Sequence, residues 1–193
     1  SADLGHYIQD AHVPLHTTLN YDGQLTNQNG IHSLWESVVP ELEINGYQLY
    51  DKTTATYLVS PEKTIWEAIK QAHNLLPQVL SVEKELSSQF TDSTKYRYQK
   101  RNNRTQRYYT SNFAKAYGKA LAPTIEKQLK LSAKTTACFW YTAWVDAGKP
   151  NFTKLTKEQK HQLKRELKHY KKEKLITDSL LISLKKRTNN PIE

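Results

Sequence analysis

The chain has 193 residues, 37% of them hydrophobic and 10% aromatic, which excludes a disordered composition and suffices for one domain with a sizeable core. Its net charge of +9 is unevenly placed, because residues 1–90 carry 4 basic and 11 acidic side chains whereas residues 91–193 carry 24 and 8. A basic half is attracted to nucleic acid or anionic lipid surfaces, although lysine-rich helix faces are more often only solvated. The single cysteine, Cys138, excludes an intrachain disulfide, and no apolar run is long enough for a membrane span.

Two copies of one short pattern occur near the beginning of the chain. The first is H-x-x-x-D, formed by His6 and Asp10, and the second is H-x-x-x-E, formed by His32 and Glu36. Residues four apart lie on the same face of a helix, so each pair directs an imidazole and a carboxylate towards one place. A third histidine, His16, lies between the two pairs. Together the five side chains predict part of a zinc cluster.

Helices are predicted around both pairs. The first ends at about Ala11, because Pro14 stops further winding. Residues 17–30 are rich in Thr, Asn, Asp and Gly and are predicted to form a loop. A second helix is predicted to begin near Ile31 and to be interrupted around Pro40.

Zinc accepts neutral imidazole and carboxylate ligands, usually four in a tetrahedron, and a catalytic zinc keeps one position for water. His16, His32 and Glu36 supply three protein ligands and leave that fourth position free. The alternative is that these are polar helix residues satisfied by solvent or by carbonyl groups. Two repeats with a third histidine between them favour metal binding.

Periodic apolar residues predict further helices downstream. They are a long helix from Ser60 with a kink at Pro77, another from Thr110 or Ser111 through a bend at Pro123 to Asp146, and a tail helix from Thr156 with Leu163, Leu167 and Tyr170 facing inward, followed by an apolar piece at 175–184. The aromatic residues Phe139, Trp140 and Trp144 are expected in the core. Residues 47–59 alternate too weakly to choose between short strands, a helix and an irregular segment.

Residues 91–110 interleave six Lys/Arg with four Tyr without periodicity. This composition predicts a surface loop, and the alternatives are a loop that holds phosphates and stacks bases or an ordinary basic connector. The whole chain is therefore predicted to be all-α. We expect a single helical domain over residues 1–193, with the metal-ligand region at residues 1–40 and a basic helical tail at residues 151–193.

The segments at residues 6–16 and 30–36 closely resemble the zinc-dependent phospholipase C and single-strand-specific nuclease superfamily, and residues 139–148 look like a C-terminal segment of its bacterial phospholipase members. The resemblance implies an all-helical phosphodiesterase with three zinc ions. Water activated by the metals would attack phosphorus, and no protein nucleophile would be needed. Relatives of this kind are exported, so the resemblance also implies a secreted or periplasmic protein.

Carried over to this chain, the resemblance implies that His6 binds the first zinc of a close pair and that Asp10 bridges that pair. His16, His32 and Glu36 would hold a second, more separate zinc. The family completes its cluster with residues upstream of the H-x-x-x-D helix, and these do not occur in this sequence, which also lacks methionine. We therefore expect the chain to be the C-terminal part of a longer enzyme, to retain one zinc and to be inactive alone.

The sequence favours a phospholipase C type of hydrolase over the alternatives. Glu36 and the step of 16 residues from His16 to His32 look more like the lipase branch than the nuclease branch. A single-strand-specific nuclease is the second hypothesis, supported by the basic half and by the pairing of Asp10 with His12. The third is a non-catalytic helical binding module with one structural zinc, whose basic half docks on an anionic partner. No stable protein partner is implied.

Overall fold

The computed structural model describes residues 2–50, 52–101, 104–150 and 156–171. Helices dominate these ranges, as the sequence predicts. In chain order they are α1 (Ala2–Asp10), α2 (Ile31–Ser33), α3 (Val39–Glu43), α4 (Pro61–His73), α5 (Leu76–Ser87), α6 (Asp92–Lys95), α7 (Ser111–Asp146) and α8 (Lys157–Lys171), with 3₁₀ turns at Pro14–Thr17 and Ile44–Gly46 and a π turn at Leu34–Val38. The two strands are β1 (Tyr96–Arg101) and β2 (Arg104–Tyr109).

The long helix α7 is the element on which several other helices pack. It starts where the Thr110 hydroxyl caps it by accepting a hydrogen bond from the Phe113 amide. One face of α7 buries Phe113, Tyr117 and Leu121, which recur every four residues. Helices α1, α3 and α5 contact this helix, so the metal-ligand region lies against the same core.

The helix that follows residue 30 is not interrupted at Pro40, contrary to the prediction. It runs continuously over residues 31–43, but widens into the π turn just before the proline. Proline has no N–H group and its ring clashes with the carbonyl four residues earlier, which here belongs to Glu36. The wider turn avoids that clash, and the Val39 amide bonds instead to the carbonyl of Leu34. We refer to residues 31–43 as the ligand helix.

The predicted long helix with a kink at Pro77 is instead two helices, α4 and α5. The break falls at Asn74 and Leu75, and Pro77 lies in the first turn of α5. Proline is tolerated there because the amides of a first turn have no partner within the helix. The proline thus begins a new helix rather than bending an old one.

The predicted basic loop at 91–110 is wrong, because most of it forms an antiparallel hairpin. Tyr96 pairs with Tyr109, and both side chains are only 6% exposed. The guanidinium of Arg107 lies 4.1 Å from the centre of the Tyr96 ring. The buried residue of each strand is a tyrosine, which is itself partly polar, and most of its neighbours are basic or polar. The alternation of apolar and polar residues that would predict a strand is therefore weak.

Residues 47–50 and 52–60 form neither a helix nor a strand. This segment runs along the C-terminal half of α7. The Thr56 amide lies 3.4 Å from the sulfur of Cys138, and the Leu58 amide donates to the Thr142 hydroxyl at 2.9 Å. Cys138 is buried.

Two predicted core positions are wrong. Trp140 is 48% exposed and Leu163 is 50% exposed, although one edge of the Trp140 ring lies close to Gly5 of α1. The side chains of Leu167 and Tyr170, and the apolar piece at 175–184, lie outside the described residues. Within the described part, no helix combines the length and apolarity that crossing a membrane requires.

Candidate metal centre

Helix α1 supplies the first pair of candidate ligands. His6 and Asp10 are four residues apart, and Nε2 of His6 lies 3.5 Å from Oδ2 of Asp10. Ile8 between them is buried and sets the rotation of the helix, which leaves His6 70% exposed and Asp10 half-buried. The pair therefore lies at the surface edge of the site.

A tight turn after α1 brings His16 back to the same place. Pro14 and Leu15 are buried and anchor the turn, and the His16 amide donates to the Val13 carbonyl at 3.1 Å. The Thr17 hydroxyl donates to the Pro14 carbonyl and lies 3.0 Å from Nδ1 of His73 on α4. His16 is thus held between two helices.

The ligand helix supplies the remaining two candidates. It begins after Gly30, whose φ of +95° lies in the left-handed region that favours glycine. Ile31 is fully buried, and the His32 amide lies 3.4 Å from Oδ1 of Asp22 in the preceding loop. Burial of Ile31 fixes the helix rotation that directs His32 towards His16.

His16, His32 and Glu36 converge on one point. Nε2 of His16 lies 3.0 Å from Nε2 of His32 and 3.5 Å from Oε2 of Glu36, and Nε2 of His32 lies 2.7 Å from that same oxygen. One ligand atom from each residue lies within 4.8 Å of the other two. We call these three residues the triad. In the described part of the chain, no other set of His, Cys, Asp or Glu meets this condition.

The triad fits a tetrahedral zinc ion. Ligand bonds of about 2.0–2.2 Å at tetrahedral angles place ligand atoms about 3.3–3.6 Å apart. The observed separations run from 2.7 to 3.5 Å, so three side chains need move outward by only a few tenths of an ångström. Two nitrogens and one carboxylate oxygen also match zinc better than magnesium or calcium, which prefer oxygen ligands alone.

Electrostatics within the triad follow from its shortest contact. The hydrogen bond with Glu36 raises the pKa of His32, and burial only partly opposes that effect. The same hydrogen bond lowers the pKa of Glu36, again against the effect of burial. A metal ion competes with the shared proton, because an imidazole must lose it before it can coordinate.

Asp10 connects the two groups of candidate ligands. Its Oδ1 atom lies 3.7 Å from Nδ1 of His16, on the side of the ring opposite the triad. A carboxylate in that position favours the tautomer with hydrogen on Nδ1, which leaves Nε2 free to coordinate. The described residues bring no third His, Cys, Asp or Glu to form a metal group around His6 and Asp10.

A cleft of about 230 Å³ adjoins the centre. It is lined by His6, Asp10 and Glu36 together with Trp35 and Leu129. His12 also lines it, with its Nε2 atom 3.1 Å from the Thr135 hydroxyl oxygen. Burial lowers the pKa of His12, which keeps the imidazole neutral in the cleft wall.

All five predicted ligands therefore lie together, the triad as one group and His6 with Asp10 beside it. The sequence interpretation did not identify Asp22, which contacts the His32 backbone, or Gln28, which is buried under the ligand helix. The Asp22-Gly23 turn signal was visible in the sequence, but its contact with residue 32 was not. No protein-family model, curated protein sequence or solved structure matches this chain.

Proposed function

We propose that the triad binds one zinc ion and that the protein is a zinc-dependent phosphodiester hydrolase of the phospholipase C type. The convergence of His16, His32 and Glu36 within 4.8 Å is the observation that supports the metal site. The reaction class rests on the resemblance of the ligand segments to the phospholipase C and nuclease superfamily. A secreted or periplasmic location rests on the same resemblance.

Each side chain has a role in this proposal. The triad holds the ion, and Asp10 orients the His16 ring from 3.7 Å away. When bound, zinc activates water at neutral pH and offsets negative charge on a phosphodiester. The cleft beside the triad accepts the part of the substrate next to phosphorus. His6, being the most exposed, contributes to further metal binding, as the resemblance implies, or contacts the substrate directly.

Neither Ser33 nor Cys138 forms a nucleophile and base pair with a histidine among the described residues. Ser33 lies in the ligand helix but no hydrogen bond joins its hydroxyl to a histidine in the described chain. Cys138 is buried against Thr56. Water is therefore the proposed nucleophile.

A single-strand-specific nuclease is the second candidate. The hairpin that replaces the predicted loop supports it, because Tyr98 is exposed on β1 and Arg97 lies near the Tyr108 ring. Aromatic and basic side chains on one exposed ribbon suit stacking on unpaired bases. A phospholipid substrate remains the preferred one because Glu36 and the histidine spacing look more like the lipase branch.

The test begins with metal content. The full chain is purified, loaded with zinc and analysed for bound metal, alongside a His32→Ala variant and a matched His161→Ala control on exposed α8. We expect tight zinc binding by the unsubstituted protein and the control, and its loss in His32→Ala. Equal binding by all three would refute the site.

The reaction is then measured on phosphatidylcholine vesicles and on single-stranded DNA, with and without chelator. Chelator-sensitive release of a phosphorylated head group supports the phospholipase assignment, and cleavage of DNA alone supports the nuclease. Tight zinc binding without cleavage of either substrate is the result expected if this chain alone lacks ligands that the reaction needs, and it favours a zinc-stabilised binding module as the function of this chain by itself.

A further inference from the structure

Glu83 of α5 is a charged residue in the centre of the core. Its side chain is 1% exposed, and four donors surround it. Oε1 lies 2.7 Å from Nζ of Lys95, 2.9 Å from the Tyr109 hydroxyl and 3.2 Å from that of Ser87. The other oxygen, Oε2, accepts a hydrogen bond from the Gln28 amide. Both carboxylate oxygens thus accept at least one hydrogen bond from a neighbouring side chain.

A carboxylate in this position is costly to bury, and an apolar side chain would fill the same volume without desolvation. We therefore infer that the Glu83 carboxylate matters for the conformation that its hydrogen bonds impose on neighbouring residues. Gln28 is 5% exposed, and its Nε2 atom also donates to the Leu80 carbonyl at 2.8 Å. Both hydrogens of that amide are consequently directed at α5, which fixes the orientation of the side chain.

The backbone of Gln28 carries this constraint to the ligand helix. Its carbonyl oxygen accepts the Ile31 amide at 3.1 Å and lies 3.3 Å from the Tyr109 hydroxyl. The Tyr109 ring lies 3.5 Å from the position that a Cβ atom on Gly30 would take. Tyr109 therefore contacts both the carboxylate and the turn that begins the ligand helix, one residue before Ile31 and two before His32.

We propose that Glu83 is a positioning residue for the metal triad, acting through Gln28 and Tyr109 on the start of the ligand helix. This role rests on the proposed zinc site. The carboxylate contacts none of the ligands itself. It holds the segment at 28–30 in the one conformation that directs His32 towards His16.

The test uses the full chain loaded with Co²⁺, whose visible absorption reports the geometry of the triad. Glu83→Gln keeps the shape but removes the charge, and Tyr109→Phe removes only the hydroxyl. The matched control is Glu126→Gln, which breaks another carboxylate–lysine pair with a 2.7 Å contact to Lys130. Glu126 accepts the Gln48 amide and has no contact with the loop before the ligand helix.

We expect both core variants to bind Co²⁺ about tenfold or more weakly and with an altered absorption band, since outer contacts of metal ligands typically contribute 10–100-fold. The control should keep the affinity and the spectrum of the unsubstituted protein. Core variants that lose thermal stability but keep affinity and spectrum would refute the positioning role alone. A Glu83→Gln protein that does not fold, beside a Tyr109→Phe protein with unchanged cobalt binding, would refute it too. Absence of cobalt binding by the unsubstituted protein would refute the zinc site and this role together.

Discussion

Nε2 of His32 lies 2.7 Å from Oε2 of Glu36, across a turn with π rather than α hydrogen bonding. A π turn inserts extra backbone into one turn and changes the direction of the residues it contains. Pro40 explains its place in the chain, because a regular α turn would require the Pro40 nitrogen to donate to the Glu36 carbonyl. The carboxylate of the triad thus comes from the residue whose own carbonyl the proline leaves without its usual donor.

Replacing Pro40 with alanine should separate helix stability from metal binding. The new N–H group can donate to the Glu36 carbonyl, which favours a regular α-helix over residues 31–43. We expect an unchanged or higher melting temperature together with about tenfold weaker zinc binding, the size of effect typical of contacts that orient ligands. Chelator competition measures the affinity, and Pro61→Ala, in the first turn of α4, is the control. Unchanged affinity in Pro40→Ala would show that the π turn does not position Glu36.

The affinity for zinc should depend steeply on pH near neutrality. The pKa of His32 is raised by its hydrogen bond with Glu36, so the imidazole holds its proton above the usual value of about 6.5. Zinc must displace that proton, and affinity should fall about tenfold per pH unit below the raised pKa. Titrations at about pH 6, 7 and 8 in buffers of different ionisation enthalpy measure both the affinity and the protons released. Release of no proton near neutral pH would contradict the shared-proton geometry.

The same contact predicts the opposite trend for folding stability without metal. A histidine with a raised pKa in the folded state contributes stability that is fully present below its unfolded pKa of about 6.5. That contribution is lost as the pH rises through the raised folded value. The metal-free protein should therefore lose part of the His32 contribution in the range where zinc binding becomes strongest. Urea unfolding across this pH range measures the free energy of unfolding with and without zinc. The value without zinc should fall as the pH rises, while the difference between the two should grow.

Asp10 and His6 should differ in their effect on the triad. Asp10 lies 3.7 Å from Nδ1 of His16, whereas the exposed His6 contacts only Asp10 and the Tyr7 ring in the described contacts. We expect Asp10→Asn to weaken zinc binding at the triad by up to about tenfold, less than a direct hydrogen bond would give because the contact is long. His6→Gln should change it little. Equal losses in both variants would indicate that the pair binds metal directly rather than orienting His16.

The convergence of His16, His32 and Glu36 could be predicted from the sequence because the signals for it are local. His32 and Glu36 are four residues apart, and the turn at Pro14 is a short-range signal that returns the chain to α1. The partners that support the ligands could not be predicted in this way. Gln28 and Glu83 are 55 residues apart, and Glu83 resembles any other charged position of an amphipathic helix until the hairpin places Lys95 and Tyr109 against it.

The hairpin shows why composition alone predicted a loop at residues 91–110. Tyr96 and Tyr109 enter the core, but each strand otherwise consists of basic and polar residues and one further tyrosine, which a period-two pattern does not separate. Cross-strand pairing supplies what the pattern lacks, since it aligns two tyrosines at the end of the hairpin nearest α7. The π turn is a similar case. Pro40 indicates a departure from regular α-helix, but it does not indicate that the helix continues to residue 43.

A close approach between the ligand helix and α7 at Gly118 gives a last prediction. A Cβ atom on Gly118 would lie 2.7 Å from Cγ1 of Val39, which is fully buried and stiff about its Cα–Cβ bond. Alanine has the better helix propensity by about 1 kcal/mol, but overpacking typically costs about 1–3 kcal/mol. We therefore expect Gly118→Ala to lower the free energy of unfolding or, at most, to leave it unchanged. Because Val39 precedes Pro40 in the ligand helix, any outward shift should also weaken zinc binding. Gly46→Ala is the matched control, since its added Cβ would meet no atom within 4 Å. Thermal unfolding and chelator competition measure the two effects, and a Gly118→Ala protein more stable than the control with unchanged zinc affinity would contradict the tight contact.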